Sequence, residues 1–483
     1  MLKKIIRQYN YEDFLTCDNA PKSIVVKRQN GFQDLTNNYK STYQEEPSLP
    51  IPDLEFSDAY QVPFQFRQVA QQMPSPSFMA KNKKSSIDTF SSYGVNVFGG
   101  DIYLNCLNIA QDEYKKWPFQ LGKLHPIAIE VIERLKNLSG LDRFSFHMSG
   151  TEAVLAACRM AKLATGKEHV VKFSGAYHGW TETKGMKTIN SLIRLKNMRN
   201  VAGVLINPLT QLYKKGVSKS DALLFSTSTG ATFNKEEYIH FLHKIRAICT
   251  RKGIPLIFDE VFLGQRLAYG GCQEFFQTKA DMVIYGKSIG GGLPIGIVGG
   301  KAEYMRKFDP DYPLNLLPGK GTFSGHPLVL LTTNEYLKSL SPKNYEGLES
   351  LWDYRIRQLN LNLKPYPIMF DNLQSVMTTH YLAPSRFNWI YQYYLRNQGL
   401  HLGPYGTGRF IFEVNMSFTS WQQISQRIIQ AAHKMKEDGW WWYSPRTTKT
   451  KQVLSLAKEV GLAHFKQKTY SHKPVLSPPD YLV

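Results

Sequence analysis

Two short runs constrain the fold of this 483-residue chain more than any other feature. They are Ile254-Pro-Leu-Ile-Phe-Asp-Glu-Val261 and Asp281-Met-Val-Ile-Tyr-Gly-Lys-Ser-Ile-Gly-Gly-Gly-Leu-Pro-Ile-Gly296. Each is a continuous apolar stretch of strand length, which reads as a buried strand. Each ends on polar chemistry: Asp259 and Glu260 in the first, Lys287 in the second. The carboxyl ends of strands are where α/β sheets place their ligands. The surrounding pattern agrees, because residues 125–325 alternate helical and strand signals. Tyr238–Lys252 reads as a helix, Gly253 stops it, and Pro255–Phe258 is the next strand. That alternation predicts a mostly parallel sheet with crossover helices.

A lysine at a strand end is ordinarily solvated, but Lys287 is followed by glycines that leave the backbone open to a bulky partner. An amine there can form a Schiff base with a carbonyl cofactor if its surroundings lower its pKa. Asp259 follows apolar residues and is expected to be partly buried, which is costly unless it meets a cation or a donor. A protonated pyridine nitrogen is such a donor; the alternative is an aspartate capping the next turn. Glu260 reads as a member of a local ion pair.

A third segment, Phe144-Ser-Phe-His-Met-Ser-Gly-Thr-Glu-Ala-Val-Leu-Ala-Ala-Cys158, alternates and then turns helical as far as Gly166. Ser149 and Thr151 are N-cap types and Gly166 suits the stop. Free N–H groups at that helix start make an anion site, placed at Ser149, Gly150 and Thr151. Downstream, in Val170-Val-Lys-Phe-Ser-Gly-Ala-Tyr-His-Gly-Trp180, Tyr177 can lie on an aromatic ring. His178 can orient that ring or carry a proton. Taken singly, these segments equally suit capped helices, turns and core packing.

Together, and in this order, the segments resemble the class III aminotransferases, which depend on pyridoxal 5′-phosphate (PLP), most closely the glutamate-1-semialdehyde aminomutase-like group. The resemblance runs over residues 120–440. It implies a fold-type I α/β architecture: a large domain with a mostly parallel sheet plus a smaller C-terminal α+β domain. It also implies roles. Ser149, Gly150 and Thr151 bind the phosphate, Tyr177 and His178 flank the cofactor, Asp259 pairs with the pyridine nitrogen, and Val261 packs on the opposite ring face. Lys287 carries the cofactor, and Thr322 in Gly321-Thr-Phe-Ser-Gly325 reaches the phosphate of a partner subunit, hence a homodimer. A narrower likeness is to aminotransferase domains of natural-product pathways, including polyketide, peptide-synthase and prodiginine-type enzymes. It rests on Phe146–Val154, Gly175–Trp180, Val204-Leu-Ile-Asn-Pro-Leu209 and Asp438-Gly-Trp-Trp-Trp442. Such enzymes aminate a keto or aldehyde group of an acyl chain, in some cases on an acyl carrier protein.

The chain departs from the wider family in carrying Asn207-Pro208 where Glu-Pro is usual, and in lacking an acidic gate residue near Gly403–Arg409. Both points favour a transaminase with an altered substrate pocket over a true 2,1-aminomutase, which stays as the alternative; a non-catalytic scaffold partner is the alternative of another class. The Gly290–Gly296 cluster fits neither the dinucleotide nor the Walker spacing.

Composition sets the outer bounds. The length suits several domains: a loop-rich N-terminal segment 1–90 packing on the small domain or a partner, a PLP-binding large domain 91–328, a small domain 329–445, and a basic tail 446–483. Within the first, Ser23–Lys27 reads as a strand; within the last, Val453–Leu462 reads as a short amphipathic helix. No apolar run is long enough to span a membrane, and no signal-peptide core is present. Five scattered cysteines give neither a metal spacing nor a disulfide framework, which points to the cytoplasm. A net charge of +20 without a recognised nucleic-acid module leaves two readings, a solvated surface or a basic face that steers an acidic carrier protein.

Overall fold

The computed structural model describes residues 20–42, 87–118, 121–122, 124–174, 176–181, 185–208, 234–305, 321–383, 385, 387–402 and 409–444. The expected tail helix at 453–462 and the proline-rich stretches before residue 87 lie outside them. Strands are numbered β1 (Ile87–Asp88), β2 (Arg143–His147), β3 (His169–Phe173), β4 (Met186–Ile189), β5 (Val201–Ile206), β6 (Leu256–Asp259), β7 (Met282–Gly286), β8 (Gly296–Gly300), β9 (Ile368–Leu373), β10 (Val376–Tyr381), β11 (Leu400–His401) and β12 (Arg409–Ile411). Among the described residues, helices of seven residues or more are α1 (Lys22–Thr42), α2 (Gly100–Tyr114), α3 (Ile127–Ser139), α4 (Gly150–Thr165), α5 (Lys235–Lys252), α6 (Pro327–Ser339), α7 (Leu348–Leu363), α8 (Tyr391–Asn397) and α9 (Phe418–Glu437).

Seven strands form the central sheet in the order β2-β8-β7-β6-β5-β3-β4. All neighbours are parallel except at β8, which runs against both β2 and β7. The sheet is therefore mostly parallel, as the alternating pattern predicts. Its interior strands are apolar on both faces because both are covered. Along β6, Leu256 and Phe258 face one core with Tyr238, Leu242 and Ile245 of α5, while Ile257 faces another with Ala153, Ala157 and Ala161 of α4. The small residues of α4 let it lie close to the sheet. That closeness is tightest where α4 begins beside Gly296, the first residue of β8.

A third core gathers the C-terminal part around Trp352, Phe370, Phe410, Phe412, Trp421 and Trp440, beneath the antiparallel sheet β12-β10-β9. One edge strand of that sheet is the three-residue β12. The expectation of a strand at Ser23–Lys27 is overturned, since these residues are in α1. The β-branched run suggested a strand, but Arg28, Gly31 and Leu35 are buried on one helical face, with Ile24, Val25 and Phe32 half-buried beside them. Packing outweighs propensity here. The Arg28 side chain is fully buried, its Nε donates to the Gly439 carbonyl at 3.1 Å, and its guanidinium lies over the rings of Phe387 and Trp440. So part of the segment read as loop-rich is a helix clamped to the C-terminal core.

Candidate active site

The parallel strands all end at one edge of the sheet, and the predicted residues collect there. Asp259 is the last residue of β6 and pairs in register with Ile284 of β7, so Gly286 and Lys287 emerge beside it. On the other side of β8, β2 ends at His147, level with Gly296, and leads through Ser149 into α4.

Ser149 caps α4: its Oγ accepts from the Glu152 N–H at 3.2 Å, and the Glu152 carboxylate accepts from the Met148 N–H at 2.9 Å. The first i→i−4 bond of the helix runs from Ala153 N to Ser149 O. The N–H groups of Gly150 and Thr151 thus precede the helical ladder and remain available to an anion. The other end closes on Gly166 in the left-handed region, as expected.

The turn after β3 is pressed against this helix start. Gly179 has φ +80°, and a Cβ there would lie 2.2 Å from Thr151 Oγ1. Only glycine permits both the angle and the approach. This places His178 in the interior, where its Nδ1 and Asp259 Oδ2 are 2.7 Å apart. Both side chains are buried. Asp259 Oδ1 accepts from the Val261 N–H at 3.2 Å. His178 Nε2 is buried without a partner. Val261 is hemmed in by glycines, because a Cβ on Gly150 would be 2.8 Å, and one on Gly286 3.2 Å, from its Cγ1.

Lys287 has φ +53° and opens a 3-10 turn through Gly290. Its Nζ donates to the Tyr93 carbonyl at 2.7 Å and sits 5.2 Å from the centre of the Phe262 ring. Burial, and then the nearby Arg266 guanidinium, bring the amine down to about 8, against an opposing pull from Asp259. A neutral amine is thus accessible near neutrality, as a nucleophilic lysine requires.

Two predicted residues are not in this buried cluster. Tyr177 is 71% exposed, and Thr322 is exposed on the turn that precedes α6. Glu260 is not in the ion pair expected of it. It is wholly buried, accepts from the Cys272 N–H at 2.9 Å, and is raised by burial to about 8, so it is a neutral acid below that pH. Tyr93, Phe262 and Arg266 were not singled out by the sequence. Nothing local marks them, since each reaches the site through contacts far along the chain.

These features suit a phosphorylated pyridine aldehyde: an anion-binding helix start, a buried carboxylate for a ring N–H, an unpartnered histidine nitrogen, and an amine of lowered pKa. No cluster of His, Cys, Asp or Glu among the described residues is arranged to hold a metal ion. Cys106, Cys158, Cys249 and Cys272 are free and buried.

Comparison with known proteins agrees with this geometry. The model of the class III aminotransferases matches residues 77–369. A protein named glutamate-1-semialdehyde 2,1-aminomutase from Alkaliphilus oremlandii is 32% identical over 287 residues, covering 55% of this chain and 66% of that protein. The same-named protein of Chlorobium phaeovibrioides is 31% identical over 332 residues, covering 57% and 68%. The match spans a little under two thirds of the Alkaliphilus relative and 61% of one from Lawsonia intracellularis. Among solved structures, a glutamate-1-semialdehyde aminomutase from Pseudomonas aeruginosa superposes with a TM-score of 0.66 at 14% identity, over 85% of this chain and 99% of that one. A β-phenylalanine aminotransferase from Variovorax paradoxus gives 0.63 at 19%, over 83% and 96%. These structures share the fold-type I architecture. With the family model matching more than half its length and the motif residues gathered at one sheet edge, the chain belongs to the class III aminotransferase family.

Proposed function

We propose that this protein is a PLP-dependent aminotransferase that moves an amino group from an amino-acid donor to a keto or aldehyde group of an acyl-chain intermediate in specialised metabolism. The observation that carries the chemistry is the convergence of the buried His178–Asp259 pair and the Lys287 amine at the same sheet edge as the open helix start of α4. Bound there, PLP would supply an aldehyde carbon that accepts amines and a ring that takes up the electron pair left at a substrate Cα.

The chain's own residues divide the remaining work. The N–H groups of Gly150 and Thr151, with the Ser149 hydroxyl, bind phosphate oxygens at the positive end of α4. Asp259 holds a proton on the ring nitrogen. His178 fixes that carboxylate from behind and, being almost wholly buried, orients rather than exchanging with solvent. Lys287, neutral above about pH 8, would take the proton from the substrate Cα and deliver it to the aldehyde-derived carbon of the cofactor, C4′, on the far side of the transferred nitrogen. Val261 supports one ring face and Tyr177 covers the other.

Tyr177 and Trp180, 71% and 81% exposed, flank the site on one turn, and Phe323 is 52% exposed beside Thr322. Apolar side chains so exposed around a site mark a surface that is normally covered. They support a homodimer in which Thr322 completes the phosphate site across a two-fold axis. The basic charge balance supports docking of an acidic carrier protein, and a cytoplasmic location suits the buried free thiols. No helix among the described residues is long and apolar enough to cross a membrane.

The 2,1-aminomutase reading has one observation in its favour, the name its relatives carry. Donor turnover separates the two. A transaminase releases one keto acid per amino group delivered, whereas a mutase isomerises one substrate and releases none. Lys287→Ala should abolish turnover and leave the protein folded; full activity in that variant would remove the assignment. If carrier docking is electrostatic, its rate falls with added salt, and indifference to salt or carrier removes that part.

A further inference from the structure

The Lys287 amine is held by a backbone carbonyl, and the segment that provides it is unusual. Ser91, Ser92 and Tyr93 have φ of +46°, +50° and +60°, and Gly94 follows at +78°. Three consecutive non-glycine residues in the left-handed region persist only where the surroundings over-determine them, and such strain clusters at functional sites. Asp88 accepts from the Phe90 and Ser92 N–H groups at 2.7 and 2.9 Å, and Ser91 Oγ donates to the Ile411 carbonyl at 2.8 Å. A further restraint, from outside the turn, comes from Arg266, which is fully buried. Its Nη2 donates to the carbonyls of Gly94 (3.2 Å) and Asn96 (2.9 Å). Its Nη1 donates to the Phe412 carbonyl and to Ser375 Oγ. One planar fork therefore joins three segments: the left-handed turn, the short helix Gly264–Leu267 that follows β6, and the C-terminal core at 375 and 412.

We propose that Arg266 is a positioning residue for Lys287, acting through the strained turn Ser91–Gly94. It fixes the turn whose Tyr93 carbonyl receives the Lys287 amine, and ties that turn to the C-terminal core. The geometry has an electrostatic companion: the guanidinium and the Lys287 ammonium both lie over the Phe262 ring, at 5.8 and 5.2 Å, so they disfavour one another's charge. After burial, Arg266 is the larger of the two charged influences on Lys287, and Asp259 opposes it. The inference rests on the reading of Lys287 as the reactive amine.

The test is competitive acetylation of the full-length apoprotein with acetic anhydride from pH 6.5 to 10, with the Lys287 peptide followed by mass spectrometry. Arg266→Lys keeps the charge but cannot serve all four acceptors at once. Asp88→Ala loosens the same turn without touching Arg266. Arg355→Lys is the control, because Arg355 is a buried arginine that donates to the Met416 carbonyl in the C-terminal core. Loosening the turn frees the amine to hydrate, so its titration rises toward that of an ordinary lysine. A one-unit rise from about 8 cuts the neutral fraction at pH 8 from about one half to about one tenth, and labelling there about fivefold. Arg266→Lys and Asp88→Ala should both show this loss, with kcat falling more than KM changes. Arg355→Lys should lower only the melting temperature. Wild-type labelling profiles in both turn variants would overturn the proposal, and if Arg266→Lys does not fold, Asp88→Ala decides alone. Failure of the functional reading shows separately, as turnover that survives Lys287→Ala.

Discussion

Gly296→Ala tests how the anion site is built. Gly296 stands level with His147 of β2 and Gly286 of β7, directly under the start of α4. A Cβ at this position would lie 2.0 Å from the Ser149 carbonyl oxygen, 2.5 Å from its carbon and 2.9 Å from Ala153 Cβ. The obstacle is backbone, so no rotamer change relieves it, and the helix start must withdraw by about 1 Å to reach a closest approach of 3.0 Å. Overpacking usually costs about 1–3 kcal/mol, and a backbone obstacle puts this case near the top of that range. At about 2–4 °C per kcal/mol, less for larger units, the melting temperature should fall by about 5–8 °C. The same displacement moves the Gly150 and Thr151 N–H groups, and misplacement on that scale lowers turnover about a hundredfold. Gly300→Ala, in the same strand, is the control, because its Cβ would meet flexible methionine side chains rather than backbone, at 2.8 Å from Met305 Cγ and 3.3 Å from Met282 Cγ. Differential scanning fluorimetry and steady-state rates at saturating PLP measure both effects. If the two variants match in melting temperature and rate, the close approach of α4 to β8 is not what sets the anion site.

Three further outcomes follow from the structure. On the proposed reading, Asp259→Asn removes the buried carboxylate that would face the ring nitrogen and should lower kcat by at least about a hundredfold with the fold intact, measured by steady-state kinetics; a loss below about threefold contradicts the role. Lys287 titrates near 8 in the folded apoprotein and near 10.5 when unfolded, so the unfolded chain binds the extra proton and stability rises as pH climbs between these values. Lys287→Met should therefore stabilise the apoprotein by about 1–2 kcal/mol at pH 7, discounted for partial exposure, and by progressively less toward pH 10.5, as read from urea melts. Arg28→Ala deletes a buried cation from its two aromatic partners and the Gly439 carbonyl, and should cost about 2–4 kcal/mol and expose α1 to limited proteolysis.

What was legible in the sequence was local. The apolar runs of β6 and β7, the Ser149 cap, and the left-handed stops at Gly166 and Gly253 are each specified by neighbours a few residues apart. The order of Ser149–Thr151, Tyr177–His178, Asp259 and Lys287 along the chain was readable for the same reason, and sheet topology then brings their strand ends together. What could not be read depends on distant partners. Glu260 looks like half of an ion pair until the fold shows it buried against the Cys272 N–H. The run at 23–27 looks like a strand until the core around Trp440 claims one helical face of it. Arg266 looks like any arginine, and its acceptors lie 146 and 170 residues away at Phe412 and Asn96.

The most direct test of the central claim is chemical. The purified protein, saturated with PLP, is reduced with sodium borohydride, digested and mapped by mass spectrometry. The account predicts one phosphopyridoxyl group, on the peptide that carries Lys287. A label on another lysine, or none, would contradict it.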